Sequence, residues 1–378
     1  MPDRQLVTID VRPGAAMDSQ SGLQNNSPKI YGALKEAVDG NRRVGAIIMH
    51  PTSNFMGHYL ISPLAARGIA CLGLNSRFQG NDAVLLMERV LQDLGAGVRH
   101  MRDRGFDKVL LIGNSGGAAL ASFYQAQAEQ LTVTQAPDGT KLRLVPEDLP
   151  RADGIVLCAA HAGRSRLMAE WLDPSVLSES DPDLVDPELD CHDPRNGPPF
   201  SEEFLTRFRM AQLARRDRIE TWVLDRLARL RNEQGPSANE AFVIHRTHAD
   251  PRMLDLSLDR NDRLPGSIWG DPASVNRAAN AMGRFTTLTA FLSQWASCSQ
   301  ADGPDNLART SVPVCLFDYT GDASTFPSTM SLWERAYGTR GERHAVRGGN
   351  HYLHGQPDLV AQVADTIADF CARRLAKD

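Results

Sequence analysis

The feature that most restricts the fold is a sharp turn between an apolar run and a helical run. Lys108 to Ile112 (KVLLI) predicts a buried strand, and Ala118 to Glu129 predicts an alanine-rich helix. The five residues Gly113-Asn114-Ser115-Gly116-Gly117 join the two and satisfy the pattern G-x-S-x-G. Such a turn needs small neighbours and exposes its central hydroxyl beyond the end of the strand. We therefore predict that Ser115 is a nucleophile.

Short apolar runs alternate with helical patterns on both sides of this turn, which is typical of a parallel sheet covered by helices. The sequence therefore predicts an α/β fold with a mostly parallel central sheet. The other predicted strands are Val44 to His50, Ile69 to Leu74, Gly154 to Ala160, Val312 to Tyr319 and Arg343 to Val346.

The sheet pattern is interrupted between residues 165 and 307, where proline, aspartate and arginine are frequent. We predict that this segment is a large, mainly helical cap inserted into a core of residues 1–164 and 308–378. One long amphipathic helix is expected from Ser201 to Asn232 and another helical pattern from Pro272 to Ala296. Phe204 and Phe208 fall on one helical face, which we expect to pack on the sheet domain.

A serine hydroxyl needs a base, and the base needs an acid to orient it. His351 follows the last predicted strand directly and is the predicted base. Asp322 lies in the turn after Val312 to Tyr319, which gives the chain order Ser, Asp, His. Asp322 is the predicted acid. The aspartate of such a turn commonly lies three residues after the glycine, and this chain has Ser324 at that position.

An oxyanion hole requires N–H donors aimed at the charge that develops during acyl transfer. We predict one donor at the backbone N–H of Gly116 and another in the loop after Val44 to His50. Pro51 has no N–H, so Thr52 or Ser53 is expected to provide the second.

Three further residues are candidates for substrate binding because they lie near these turns: Arg77, Asn114 and His50. Arg77 follows a predicted strand and could bind a carboxylate. His50 and His58 have no acidic partner at ligand spacing, so we predict no metal site and no cofactor.

With these motifs the chain resembles the α/β-hydrolase superfamily over about residues 40 to 165 and 310 to 378. The resemblance implies a Ser-His-Asp triad, acyl-enzyme chemistry without a cofactor, and a cap that selects the substrate. The run Gly113-Asn114-Ser115-Gly116-Gly117 is also similar to the nucleophile turn of hydrolases that cleave carbon–carbon bonds in ring-fission products. The expected activity is hydrolysis of a carboxylic ester of a small or medium, partly apolar molecule.

A thioesterase and a carbon–carbon bond hydrolase remain alternatives, as does a catalytically silent protein that binds a small ligand in the same pocket. The net charge of −5 offers no concentrated basic surface, which argues against nucleic acid as a partner. The chain has no run of eighteen apolar residues, and its six cysteines are scattered. We expect a cytoplasmic protein without membrane attachment and leave a homodimer open.

Overall fold

The computed structural model describes residues 4–12, 28–279 and 281–375. The outer limits predicted for the core domain, residues 1 and 378, lie outside these ranges. None of the helices in the described ranges combines the length and the apolar character needed to cross a membrane.

The elements follow one another in three stretches of chain. The first contains β1 (Gln5–Asp10), β2 (Lys29–Lys35), β3 (Val44–His50), α1 (Ile61–Ala65), β4 (Ala70–Asn75), α2 (Met87–Asp103), β5 (Lys108–Asn114), α3 (Gly117–Glu129) and β6 (Gly154–Cys158). The second contains α4 (Arg164–Trp171), β7 (Val176–Ser178), β8 (Asp181–Val185), α5 (Glu202–Gln234), β9 (Ala241–Val243), α6 (Pro272–Arg277), β10 (Phe285–Thr287) and α7 (Leu288–Gln294). The third contains α8 (Gly303–Leu307), β11 (Val314–Tyr319), α9 (Pro327–Tyr337), β12 (Gly341–Val346) and α10 (Pro357–Arg374).

The described residues form one large sheet of eight strands in the order β1-β2-β4-β3-β5-β6-β11-β12. Strand β2 is antiparallel to both β1 and β4, whereas all pairs from β4 to β12 are parallel. The predicted mostly parallel sheet is therefore confirmed. The carboxyl ends of the parallel strands share one edge, and the loops that leave them meet there.

The central strand β5 is apolar throughout because helices cover both of its faces. Val109 and Leu111 belong to the core cluster that also contains buried side chains of α2 and α3. Leu110 and Ile112 point to the other face, into a cluster with residues of α1 and α10. This burial holds the start of the turn at Ser115 between two layers of helices.

The inserted segment has its own core around the 33-residue helix α5, whose N-terminus is capped by the Ser201 hydroxyl. Every third or fourth residue of its second half is buried among side chains of α4 and α7. Phe204 and Phe208 pack against Phe200 and Cys191 of the same segment. Our expectation that this face packs on the sheet domain was wrong, because the segment supplies its own apolar partners.

Two further differences concern element boundaries. The helical pattern predicted from Pro272 to Ala296 is divided into α6, β10 and α7, because β10 pairs with β9 in a small antiparallel sheet. The antiparallel strands β1 and β2 were not predicted. Helix α8 contributes Leu307 to the core cluster beside the sheet, so a cap proposed over residues 165–307 ends in a helix that packs with the core.

Candidate active site

Ser115 lies between β5 and α3 with a φ of 58°, in the left-handed region that residues with a side chain rarely adopt. Its backbone N–H donates to the Cys158 carbonyl, 3.0 Å away at the end of β6. Its carbonyl accepts from the amides of Ala118 at 3.1 Å and His161 at 3.3 Å. These bonds from neighbouring elements hold the strained conformation in place.

Two of the flanking glycines are required by close backbone contacts. A Cβ atom on Gly113 would lie 2.5 Å from the Ala118 Cα, and a Cβ on Gly117 would lie 2.4 Å from the Met49 carbonyl oxygen. Both distances are far below a van der Waals contact. The small residues of the G-x-S-x-G pattern therefore allow α3 to start directly against β3.

His351 and Asp322 form a buried pair at the carboxyl ends of β11 and β12. The His351 Nδ1 lies 2.7 Å from the Asp322 Oδ2, and the two side chains are 4% and 0% exposed. Burial acts to raise the pKa of Asp322, but the His351 ring and hydrogen bonds from His351 and Thr325 hold it at about 2. Asp322 is therefore ionised and accepts the His351 Nδ1 proton.

The turn around Asp322 also brings Ser324 to the same imidazole. The Ser324 hydroxyl lies 3.0 Å from the Asp322 Oδ1 and 3.0 Å from the His351 Nδ1. The same hydroxyl is 3.3 Å from the Nε2 of His161, which follows β6. His161 was missed in the sequence, although a polar residue after a predicted strand at this edge was the available signal.

The other nitrogen of His351 is buried without a hydrogen-bond partner among the described residues. Because the proton on Nδ1 is hydrogen-bonded to Asp322, Nε2 has the lone pair needed to accept another proton. Burial raises the pKa of the next residue, Tyr352, and the nearby Ser115 side chain partly opposes that rise.

The loop after β3 has a different arrangement from the one expected. The backbone amides of Thr52 and Ser53 donate to the His50 Nδ1 at 3.1 and 2.9 Å. Both amides are already hydrogen-bonded, so neither is open to a substrate oxyanion in this arrangement. Gly116 directly precedes α3, where a backbone N–H has no acceptor within the helix, so its role as an oxyanion donor stays a prediction.

Two of the substrate-binding candidates are occupied elsewhere. The Arg77 guanidinium forms a buried ion pair with Asp93 of α2, with Nε and Nη2 at 2.8 and 2.6 Å from the Asp93 Oδ1. Asn114 is fully buried, donates to the Cys158 carbonyl at 3.2 Å and lies 2.9 Å from the His58 Nε2. Both side chains support the fold under the site, so neither is in position to bind a substrate.

Aromatic rings of the inserted segment continue outward from His161. The ring of Trp171 contacts His161 edge to face at a centroid distance of 5.8 Å. Trp171 and His248 both contact Trp269, at 5.7 and 5.1 Å, and Trp269 is 49% exposed. A series of ring contacts therefore connects His161, through the buried Trp171 and His248, to the partly exposed Trp269.

One group of side chains in the described residues has metal-ligand spacing: Cys315, Glu342 and His344, whose ligand atoms lie within 4.8 Å of one another. Glu342 is paired with Arg373 at 2.6 Å and with His344 at 3.0 Å. Cys315 and Glu342 lie at the start of their strands, whereas the Ser115 turn lies at the other end of the sheet. This group therefore belongs to no part of the candidate site.

Comparison with known proteins finds similarity in structure only. No protein-family profile and no curated protein sequence matches the chain. Among solved structures, the α/β hydrolase GrgF from Penicillium sp. sh18 matches with a TM-score of 0.52 and 12% identity, over 100% of both chains. A lipase in an open form matches with a TM-score of 0.50 and 18% identity, over 99% of this chain and 100% of the other.

Proposed function

We propose that this protein, which has the α/β-hydrolase fold, is a serine hydrolase that cleaves carboxylic esters through an acyl-enzyme. The observation that carries the proposal is the buried His351 Nδ1 to Asp322 Oδ2 contact of 2.7 Å at the edge of the sheet that holds Ser115 on its strained turn. A nucleophile, a base and an orienting acid are the three parts that this chemistry requires.

In the proposed reaction the Ser115 Oγ attacks the ester carbonyl while the His351 Nε2 takes the hydroxyl proton. Asp322 stabilises the imidazolium that forms without taking up that proton. The Gly116 N–H donates to the oxyanion of the tetrahedral intermediate. His351 then protonates the leaving alcohol as the carbon–oxygen bond breaks, and a water molecule activated by the same nitrogen releases the acid.

The proposed substrate is small or medium in size and partly apolar. Support for an apolar contact comes from Trp269, the exposed end of the series of aromatic rings that begins beside His161. The occurrence of a lipase among proteins of the same fold supports ester substrates. We propose the inserted segment, residues 165–307, as the cap that selects among them.

The test is steady-state hydrolysis of p-nitrophenyl esters with acyl chains of two to twelve carbons. We expect activity in the wild type and a loss of about 10³-fold or more in kcat for Ser115→Ala and His351→Ala. Matched controls are Ser331→Ala on α9 and His354→Ala, which is exposed three residues beyond His351. Equal activity in the wild type and both site variants would overturn the proposal.

A further inference from the structure

His50 ends β3 and has one ring nitrogen fully used by the protein. The Nδ1 accepts the amide protons of Thr52 and Ser53 at 3.1 and 2.9 Å. A nitrogen that accepts hydrogen bonds carries no proton, so the single proton of a neutral imidazole must lie on the other nitrogen. The fold of the loop therefore fixes His50 as the Nε2–H tautomer.

The Nε2 edge of the ring faces the nucleophile turn. A Cβ atom built on Gly116 would lie 2.9 Å from the His50 Nε2, which is the nearest atom to that position. Within the described ranges, no residue accepts a hydrogen bond from this nitrogen, and the atom keeps some accessible surface in a residue that is 8% exposed. The N–H donor is therefore open to a bound molecule, and it lies beside Gly116, whose amide is the first proposed oxyanion donor.

The surroundings keep this ring uncharged. Burial lowers the pKa of His50 well below its usual value, and the neighbouring Arg164, His161 and His351 lower it further. Arg164 is itself held against the loop by a 2.9 Å hydrogen bond to the Thr52 hydroxyl. The two amide donors at Nδ1 also withdraw electron density from the ring, which strengthens Nε2–H as a donor.

We propose that the second donor to the oxyanion is the Nε2–H of His50, in place of an amide of the loop after β3. The inference rests on the proposed esterase function. As the bond from the Ser115 Oγ to the carbonyl carbon forms, the carbonyl π electrons move to oxygen, which accepts hydrogen bonds from the Gly116 N–H and the His50 Nε2–H. No proton leaves His50, and the electrons return to the carbonyl when the bond to the leaving alcohol breaks.

Two substitutions separate this catalytic role from a structural one. Asparagine places an oxygen near the position of Nδ1, so His50→Asn keeps an acceptor for the Thr52 and Ser53 amides and removes the donor. Glutamine reaches the position of Nε2, so His50→Gln keeps a donor and removes the acceptor. Loss of one oxyanion donor typically lowers kcat by about 10²-fold to 10³-fold. We expect that loss with little change in KM for His50→Asn, and kcat within about tenfold of the wild type for His50→Gln.

A boronic acid that forms a tetrahedral adduct with Ser115 gives a second measurement. Its affinity should fall in His50→Asn in parallel with kcat/KM, whereas binding of the uncleaved product acid should not change. Unchanged kcat in folded His50→Asn would overturn the donor role while the esterase function stands. Equal losses in both variants, accompanied by a lower Tm, would also overturn it, because they indicate a structural role.

Nitrogen NMR of the wild-type protein provides a test that does not depend on how the variants fold. With ¹⁵N-labelled histidine, His50 should show a proton on Nε2 and none on Nδ1, and the Nε2–H signal should shift when the boronic acid binds. A proton on Nδ1, or no shift, would overturn the inference. A wild type that neither hydrolyses esters nor binds the boronic acid would overturn the proposed function and this inference together.

Discussion

Substitution of Asp322 by asparagine should remove most of the activity with little change in shape. Asp322 is fully buried and accepts the His351 Nδ1 proton at 2.7 Å, the Ser324 amide at 2.8 Å and the Thr325 hydroxyl at 2.7 Å. Asparagine has the same volume, and its oxygen can still accept from the turn. Its NH₂ group would then face Nδ1 and favour the tautomer with the proton on Nε2, the atom that must act as base.

A base held in the wrong tautomer costs about 10⁴-fold in kcat where it has been measured in a triad. Ser324 reduces the expected loss here, because its hydroxyl oxygen lies 3.0 Å from the His351 Nδ1 and can accept a hydrogen bond from a proton on that nitrogen. We therefore expect Asp322→Asn to lower kcat by about 10³-fold to 10⁴-fold, which corresponds to about 4 to 5.5 kcal/mol of transition-state stabilisation. Ser324→Ala alone should stay within about tenfold of the wild type, and the double variant should be slower than Asp322→Asn.

The assay is steady-state hydrolysis of p-nitrophenyl butyrate, together with the Tm of each variant. Asp318→Asn is the matched control. Asp318 is an aspartate of strand β11, and its carboxylate forms an ion pair with Arg343 at 2.6 Å. We expect the control to keep its kcat. An Asp322→Asn variant that retains more than a tenth of the wild-type kcat would refute the assignment of Asp322 as the orienting acid.

Three further predictions concern the stability of the core. Gly117→Ala places a Cβ 2.4 Å from the Met49 carbonyl oxygen. It should destabilise the protein by about 1 to 3 kcal/mol in urea unfolding and reduce activity. An unchanged unfolding midpoint would contradict the close approach of α3 to β3. Burial raises the pKa of Glu88 to about 7, although a hydrogen bond from Ser293 acts to lower it. The stability that the neutral Glu88 carboxyl contributes is therefore full near pH 4 and is lost as the pH rises to 7. Glu88→Gln should therefore be more stable than the wild type at pH 8, by up to about 3 kcal/mol, and similar to it at pH 4.5; equal unfolding curves at pH 8 would exclude a raised pKa. Burial lowers the pKa of His58 to about 4, so the stability from this neutral ring is full above pH 6.5 and is lost as the pH falls toward 4. His58→Gln should reduce the slope of unfolding free energy against pH in that window by about 1.4 kcal/mol per pH unit; an unchanged slope would contradict the neutral ring.

The sheet could be predicted from the sequence where strands are buried on both faces. Such strands are continuous apolar runs, and β3 has the bounds that its pattern indicates. β1 is an edge strand of the sheet, and it alternates between exposed and buried residues over only six positions. Its pairing with β2 depends on contacts across the chain, which local patterns do not specify. The interruption of the sheet pattern between β6 and β11 could be predicted from composition, but the internal packing of that segment could not.

The positions of Ser115, His351 and Asp322 follow from chain order, because each lies in the loop that leaves the carboxyl end of a parallel strand. The oxyanion loop could not be predicted in the same way. Whether the Thr52 and Ser53 amides face a substrate or the ring of His50 depends on the rotamer of one side chain. Arg77 was placed correctly at the end of a strand, but its guanidinium pairs with an aspartate of a helix that passes beneath it.

The most direct test of the central claim is covalent labelling of the purified protein by a fluorophosphonate probe, followed by mass spectrometry of the digested peptides. The account predicts stoichiometric modification at Ser115, no labelling of Ser115→Ala, and labelling of His351→Ala slowed by at least about 10²-fold. A folded wild-type protein that stays unlabelled, or that is labelled at another residue, would contradict the claim that Ser115 is an activated nucleophile.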